Sequence, residues 1–360
     1  LLASSQIAGT SRRELLAALF RLSTARCLYP RSFSLFHAPQ ANETPVTCGS
    51  FGDIFQGTIL DQKVCLKKVR NPNDSSILKS FMREVIILGQ LHHPNVLPFY
   101  GVYRWGEGPG RICLVSPWME EGNLYDYLRS HASANKLLLI QDVASGLAYV
   151  HDMCIVHGDL KGVNILVSRS GRACLADFGL ASVGGSEVTG PPSLETTGHR
   201  GATWRFEAPE LLLRLSKSKI HRTSESDMYA FGCVCYEIVT GKVPFFELDT
   251  QYAVILEIQK GGVPTKPMED ALGTCQVRGL TQHVWSLMTS CWKECPGERP
   301  TAREILSGAL LKDLRDSRPN EPSTHPFPAS GDAPGSSNDP TFHLTAARGI
   351  IEKVRPFETP

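Results

Sequence analysis

His157-Gly158-Asp159-Leu160-Lys161-Gly162-Val163-Asn164 sets a carboxylate and a carboxamide five residues apart, with one lysine between them. Alone, an aspartate in a loop is usually a turn former, because its short polar side chain bonds to nearby backbone. Outward from this stretch, further fragments stand in a definite order. Asp177-Phe178-Gly179 and Ala208-Pro209-Glu210 follow it. A glycine turn, Thr47-Cys48-Gly49-Ser50-Phe51-Gly52, then Val64-Cys65-Leu66-Lys67, then Glu84 precede it. Each fragment is weak by itself, and the glycine turn alone reads as an ordinary hairpin. The ordered series is not a product of coincidence.

The pattern around these fragments changes once along the chain. From Thr44 to Val69, glycines interrupt β-branched and aromatic residues, which reads as strands of a small sheet. Asp74 or Ser75 then caps a helix on which Ile77, Phe81, Glu84 and Leu88 recur at helical spacing. Glu84 lies in an otherwise apolar stripe, and a charge there needs a partner. A strand at Arg111 to Ser116 leads into a connection at Pro117 to Gly122. Beyond it the periodicity is helical, with Ile140, Val143, Leu147 and Val150 marking one buried helix and residues 227–240 and 281–293 two more. The division expected is an N-terminal extension with an amphipathic helix (1–40), a small unit (41–119), a larger unit (120–314) and a Pro-, Ser- and Gly-rich disordered tail (315–360). In the extension, Ser11 and Glu14 form a capping box ahead of Leu15, Leu16, Leu19, Phe20 and Leu22, which reads as a docking helix. Its Arg-, Ser- and Leu-rich composition also suits a mitochondrial transit peptide, the reading set aside.

At these residues the sequence resembles the eukaryotic protein kinases, over about three quarters of the chain. Gly-Asn-Leu at 122–124, Ser-Asp-Met-Tyr at 226–229, and Cys-Trp-Lys through Glu-Arg-Pro-Thr at 291–301 resemble the tyrosine-kinase-like group. His-Gly-Asp-Leu-Lys-Gly and Ser-Pro-Trp-Met are similar to serine/threonine kinases of that group in fungi. The resemblance implies an α+β, bilobal protein-kinase fold. Its N-lobe is small and mainly β with one helix, its C-lobe larger and mainly α. It also implies ATP and Mg2+ as cofactors and phosphoryl transfer to serine and threonine hydroxyls of protein substrates.

Phosphoryl transfer spreads negative charge over the phosphate oxygens, so such a site supplies fixed cations and an oriented nucleophile. By resemblance, Lys67 holds the α and β phosphates, and Glu84 pairs with Lys67. Asp159 is the base or orienter for the incoming hydroxyl, and Asn164 and Asp177 hold magnesium. Lys161, two residues after that aspartate, is the serine/threonine signature. Gly49, Ser50 and Gly52 belong to the phosphate loop. Ile54, Cys65 and Leu166 match the positions sandwiching adenine, and Ser116 matches the gatekeeper. Pro117 lacks an N–H but keeps its carbonyl, while the Met119 N–H and C=O are expected to be free to read the ring edge. Strand alternation sends Lys67 and Lys68 to opposite faces, leaving Lys68 as a solvated strand end. Glu210 and Arg299 match a pair that anchors the activation segment.

Four positions depart from the family pattern. Thr47 replaces the first glycine of the phosphate loop, Cys65 an alanine, and Phe206 a tryptophan. Gly158 stands where many kinases carry the arginine that clamps a phosphorylated activation segment. Hydroxyls in that segment are Ser182, Ser186, Thr189, Ser193, Thr196 and Thr197, and His199, Arg200 and Arg205 are cations able to receive a phosphate. The rival readings are a pseudokinase scaffold and a tyrosine or dual-specificity kinase.

Composition removes other classes. A net charge of +1 and a pI near 7.7 provide no field to gather nucleic acid or anionic membrane. The eleven cysteines form no C-x-x-C pair, so free thiols in a reducing cytoplasm, with no structural metal, are expected. No apolar run approaches the roughly 18–20 residues that span a bilayer.

Overall fold

The computed structural model describes residues 9–26, 28–35, 37–48, 52–70, 74–105, 112–183, 203–212, 222–267, 279–319 and 341–342. The chain separates into two compact units. One holds the described residues through His92 with Pro98–Trp118 and Thr341–Phe342, and the other holds His93–Leu97 and the described residues from Met119 to 319.

The smaller unit opens with α1 (Gly9–Arg26), which starts before the expected Ser11 cap. Leu16, Leu19, Phe20 and Ser23 are buried, three and four residues apart on one face. After β1 (Tyr29–Pro30), an antiparallel six-stranded sheet is built from β2 (Gln40–Ala41), β3 (Thr47–Cys48), β4 (Gly52–Ile59), β5 (Gln62–Val69), β6 (Gly101–Arg104) and β7 (Ile112–Pro117). Its order is β2-β4-β5-β7-β6, with β3 also paired to β4. One face of the sheet buries Phe55, Ile59, Val64, Leu66, Cys113 and Val115.

The helix α2 (Ser75–Leu88) is capped by Asp74, whose carboxylate accepts from the Ser76 N–H at 2.8 Å. The α1 helix packs on α2, and the Arg83 guanidinium lies 5.4 Å from the Phe20 ring centre.

In the larger unit, α3 (Leu124–Ser130) and α4 (Lys136–Asp152) precede β8 (Ile155–Val156), β9 (Ile165–Val167), β10 (Ala173–Leu175) and β11 (Ser182–Val183). Then come α5 (Pro209–Leu212), α6 (Ser224–Thr240), α7 (Gln251–Gln259), α8 (Gln282–Cys291) and α9 (Ala302–Ser307). The last strand, β12 (Thr341–Phe342), belongs to the smaller unit and pairs there in parallel with β1. Every residue of α6 from Ser226 to Val239 is buried, so it is the helix around which α4 and α8 pack. Residues 93–97 join this unit because Asn95 and Leu97 exchange backbone hydrogen bonds with Leu175 at 2.9 Å.

The expected tail has a structured beginning. Arg318 donates to both oxygens of Asp142, at 2.8 and 2.9 Å, and Arg172 donates to Asp316 at 2.8 Å. Composition hides this order, because two arginines finding buried or half-buried carboxylates leave no trace in local polarity. The Phe20→Ala substitution in α1 is expected to lower stability by about 3 kcal/mol, read as a lower urea midpoint at unchanged slope. An unchanged midpoint would place α1 outside the cooperative fold.

Candidate active site

In the smaller unit, sheet register fixes which residues flank Lys67. Ile54 opposes Lys67, which opposes Leu114, and Cys65 opposes Ser116. Since alternate residues share a face, Ile54, Cys65, Lys67 and Ser116 all lie opposite the buried apolar face. Lys67 donates to both oxygens of Glu84, at 2.9 and 2.7 Å, which answers the demand that Glu84 made as a buried charge.

Lys68 does go to the other face. Its ammonium is not simply solvated, however, but lies 5.2 Å from the Trp105 ring centre and 5.8 Å from that of Phe55. Burial raises the Cys65 thiol to about 11, with the Ser116 hydroxyl pulling the other way, so this sulfur is a neutral apolar group. Gly49 and Ser50 lie outside the described residues. Gly52 has a packing reason of its own: a Cβ there would meet the Lys68 carbonyl oxygen at 2.3 Å.

In the larger unit, β8 delivers the loop 157–164 and α6 holds it. The Asp227 carboxylate accepts the His157 N–H at 2.8 Å and the Gly158 N–H at 2.9 Å, and also the His151 ring at 2.9 Å. Burial opposes its ionisation, but the His151 hydrogen bond and charge outweigh that and keep the carboxyl below its usual range. The His157 ring donates from Nε2 to the Ala176 carbonyl at 3.0 Å, which leaves Nδ1 to accept the Asp159 N–H at 3.3 Å.

The Asp159 carboxylate that follows is used unevenly. Oδ2 accepts from Lys161 Nζ at 3.0 Å and from Asn164 Nδ2 at 2.9 Å. Oδ1 is buried and has no protein partner. Because Asn164 also donates to the Asp159 carbonyl at 2.8 Å, its amide nitrogen is committed and its oxygen is the remaining acceptor.

Asp177 follows β10 in the left-handed region, at φ 60° and ψ 68°, a conformation that aspartate tolerates better than most residues. The Ala176 N–H before it donates to the Asn164 carbonyl at 2.9 Å, tying the two expected magnesium ligands together through the backbone. Leu166 lies in β9 opposite Cys174. Met119 is half-buried, and its carbonyl accepts the Gly122 N–H at 3.1 Å, closing a turn instead of standing free. Glu210 and Arg299 form a two-pronged ion pair, both contacts at 2.7 Å.

Ser182 is buried in β11 and hence closed to modification, while Ser186, Thr189, Ser193, Thr196, Thr197, His199 and Arg200 lie outside the described residues. Arg205 is committed to the carbonyls of Pro244, Phe245 and Leu248.

A model of the family of protein tyrosine and serine/threonine kinases matches residues 41–308. This chain belongs to that family. Among relatives, it is 31% identical over 281 residues to the serine/threonine-protein kinase STY17 of Arabidopsis thaliana, covering 76% of this chain and 45% of that protein. It is 32% identical over 266 residues to the dual specificity protein kinase pyk3 of Dictyostelium discoideum, covering 73% and 18%. It is 29% identical over 269 residues to the serine/threonine/tyrosine-protein kinase HT1 of Arabidopsis thaliana, covering 72% and 63%. The kinase chain thus spans less than half the length of the first two. Protein kinases in general use ATP and Mg2+. Among the described residues, no helix is long and apolar enough to cross a membrane.

The sequence pattern showed Asp227 only as part of Ser-Asp-Met-Tyr and pointed to no role for it or for Glu237. The Gly162 N–H donates to Glu237 at 2.9 Å, from directly above α6. A signal was available, since both acids interrupt an otherwise apolar helix, as Glu84 does. Burial pushes the Glu237 carboxyl up to about 8, from a normal 4.5, with the Gly162 N–H and the Lys161 charge pulling it back. A glutamate raised in this direction stabilises the fold fully below pH 4.5, and the contribution is lost as pH rises through about 8. Glu237→Gln keeps an oxygen for Gly162 but cannot ionise. Between pH 5 and 8 the wild type should therefore lose about 5–10 °C of Tm relative to this variant. A pH-independent difference in scanning calorimetry would mean that Glu237 is ionised throughout.

Proposed function

We propose that this kinase domain transfers the γ-phosphoryl group of ATP to serine and threonine hydroxyls of protein substrates. The observation that carries the reading is the divided Asp159 carboxylate. With Oδ2 held by Lys161 and Asn164, Oδ1 is left to accept the proton of an incoming hydroxyl.

Lys67, steadied by Glu84, places a cation for the phosphates, and Lys161 places a second positive charge beside the base. Ile54, Cys65, Ser116, Pro117, Met119 and Leu166 are proposed to bind the base, and Gly49, Ser50 and Gly52 to form the phosphate loop. Magnesium, when bound, neutralises phosphate charge, and Asn164 and Asp177 are the residues proposed to hold it. Among the described residues there is no cluster of three or more His, Cys, Asp or Glu that could hold a metal. One carboxylate and one carboxamide suit an ion that keeps waters and phosphate oxygens as its other ligands.

The division into a 41–119 and a 120–314 lobe is proposed as well, supported by the change of unit at Trp118–Met119. A cytoplasmic setting is proposed as well, supported by the free thiols of Cys65, Cys113, Cys154, Cys174, Cys233, Cys235, Cys291 and Cys295. Dual specificity is favoured as a second reading by two relatives, the dual specificity kinase pyk3 and the serine/threonine/tyrosine kinase HT1, whereas Lys161 supports serine and threonine.

Incubation with radiolabelled ATP and a peptide library, followed by phosphoamino-acid analysis, separates these readings. Asp159→Asn is expected to lower turnover by about 10²–10⁴-fold while leaving ATP affinity within about threefold, because the group contacts the hydroxyl and not the nucleotide. Undiminished turnover in this variant would sink the assignment.

A further inference from the structure

Gly158 lacks the side chain that would hold the activation segment from within the loop, and an arginine from elsewhere has taken the space. Gly158 has φ +76°, and a Cβ built on it would lie 2.8 Å from Cδ of Arg222 and 2.8 Å from the Leu180 carbonyl oxygen. Arg222 stands two residues before α6, and its side chain is 1% exposed. Its Nη2 donates to Oε1 of Glu207 at 3.0 Å. Glu207 is itself buried, in the segment 203–212 between Phe206 and Ala208. Burial pushes its carboxyl up, the Arg222 charge pulls it down, and the Asp159 charge pushes up again, so this carboxylate and the proposed catalytic one sense each other.

The other guanidinium nitrogens of Arg222, Nε and Nη1, have no protein partner. A cavity of about 20 Å³, lined by Gly158, Asp159, Phe206, Glu207, Arg222 and Asp227 among others, has room for one water.

We propose that Arg222 and Glu207 are a positioning pair that fixes the segment 203–212 beside the loop 157–164 without a phosphate. The Glu207 carboxylate supplies from within the chain the anion that a phosphorylated residue would otherwise bring. The physical basis is that a guanidinium and a carboxylate removed from water are each strongly destabilised unless they meet. Moving the segment away would separate them, so the segment is held wherever the pair is intact. Phe206, which precedes Glu207, is held at the same time. The proposal rests on the phosphotransfer reading for its functional consequence, but the placement of the segment can be measured without activity.

The test uses the full chain treated with phosphatase, with mass spectrometry confirming that residues 184–200 carry no phosphate. Two readouts are taken: peptide phosphorylation, resolved into kcat and the KM for peptide and for ATP, and amide hydrogen exchange over 203–212. For Arg222→Leu, exchange over 203–212 should rise about tenfold or more, with α4 and α8 unchanged. Peptide kcat/KM should fall about 30-fold or more and KM for ATP stay within about threefold. Arg222→Lys, which keeps a cation, should recover part of both effects, as a space-filling role alone would not require. If Arg222→Leu does not fold, Glu207→Gln removes the charge while keeping the shape, and should show the same changes in smaller degree.

Exchange and kcat/KM both within about twofold of wild type in the variant that folds would overturn the proposal. So would a hundredfold drop in wild-type turnover on phosphatase treatment, matched by faster exchange over 203–212. A wild type with no turnover in any state, whose exchange still responds to Arg222→Leu, would leave the pair standing and reject the phosphotransfer reading.

Discussion

Within the larger unit, the placement of the loop 157–164 depends on one buried carboxylate, that of Asp227. The α6 helix is enclosed on all sides, and an ionised group in such a place is tolerated only when its oxygens are filled by donors. The donors are the N–H groups of His157 and Gly158 and the ring of His151. Displacing the loop would uncover the charge, so the loop is held at the residues just before Asp159. Glu237 plays a similar part further along α6, receiving the Gly162 N–H on the other side of Asp159. The backbone on both sides of Asp159, the proposed base, is thus tied to the most buried helix, and the side-chain geometry of Asp159, Lys161 and Asn164 follows from that attachment.

The smaller unit reaches the same end by a different route. No loop needs to be gripped there, because a strand already alternates its side chains, and pairing with β4 and β7 fixes which residues line up with Lys67. What remains is to fix the long, flexible lysine side chain, and the two oxygens of Glu84 do so. The α1 helix stands behind this arrangement, since it packs on the helix that carries Glu84. A segment outside the family match at 41–308 therefore contributes to the support of a residue proposed for catalysis.

Three arginines bind the segment 203–212. Arg299 takes Glu210 with two parallel bonds, Arg205 takes carbonyls between Pro244 and Leu248, and Arg222 takes Glu207. Each is a charge-assisted contact made within the chain. Arg205 is thereby withdrawn from any role as a receiver of phosphate, and the absence of an arginine at Gly158 loses its apparent significance. A missing cation in the motif was compensated at a site 64 residues away in sequence, from 158 to 222, but adjacent in space.

The sequence by itself determined the kinase family, the strand-then-helix order and three helices, one marked by Ile140 to Val150 and two over 227–240 and 281–293, found at Lys136–Asp152, Ser224–Thr240 and Gln282–Cys291, and it singled out Lys67, Glu84, Asp159, Lys161, Asn164 and Asp177 as the residues of interest. These were legible because periodicity and motif spacing are local properties. The lone acid in the apolar stripe of α2 even announced that it needed a partner. Only the tertiary structure decided which oxygen of Asp159 is left open, that Lys68 lies on aromatic rings, that Met119 spends its carbonyl on a turn, and that Arg318 returns to Asp142. It alone paired Arg222 with Glu207 beside Gly158. The physical reason is that burial and pairing of charges are set by residues far apart in the chain, and a low-dielectric contact has no signature in the composition of either segment that makes it.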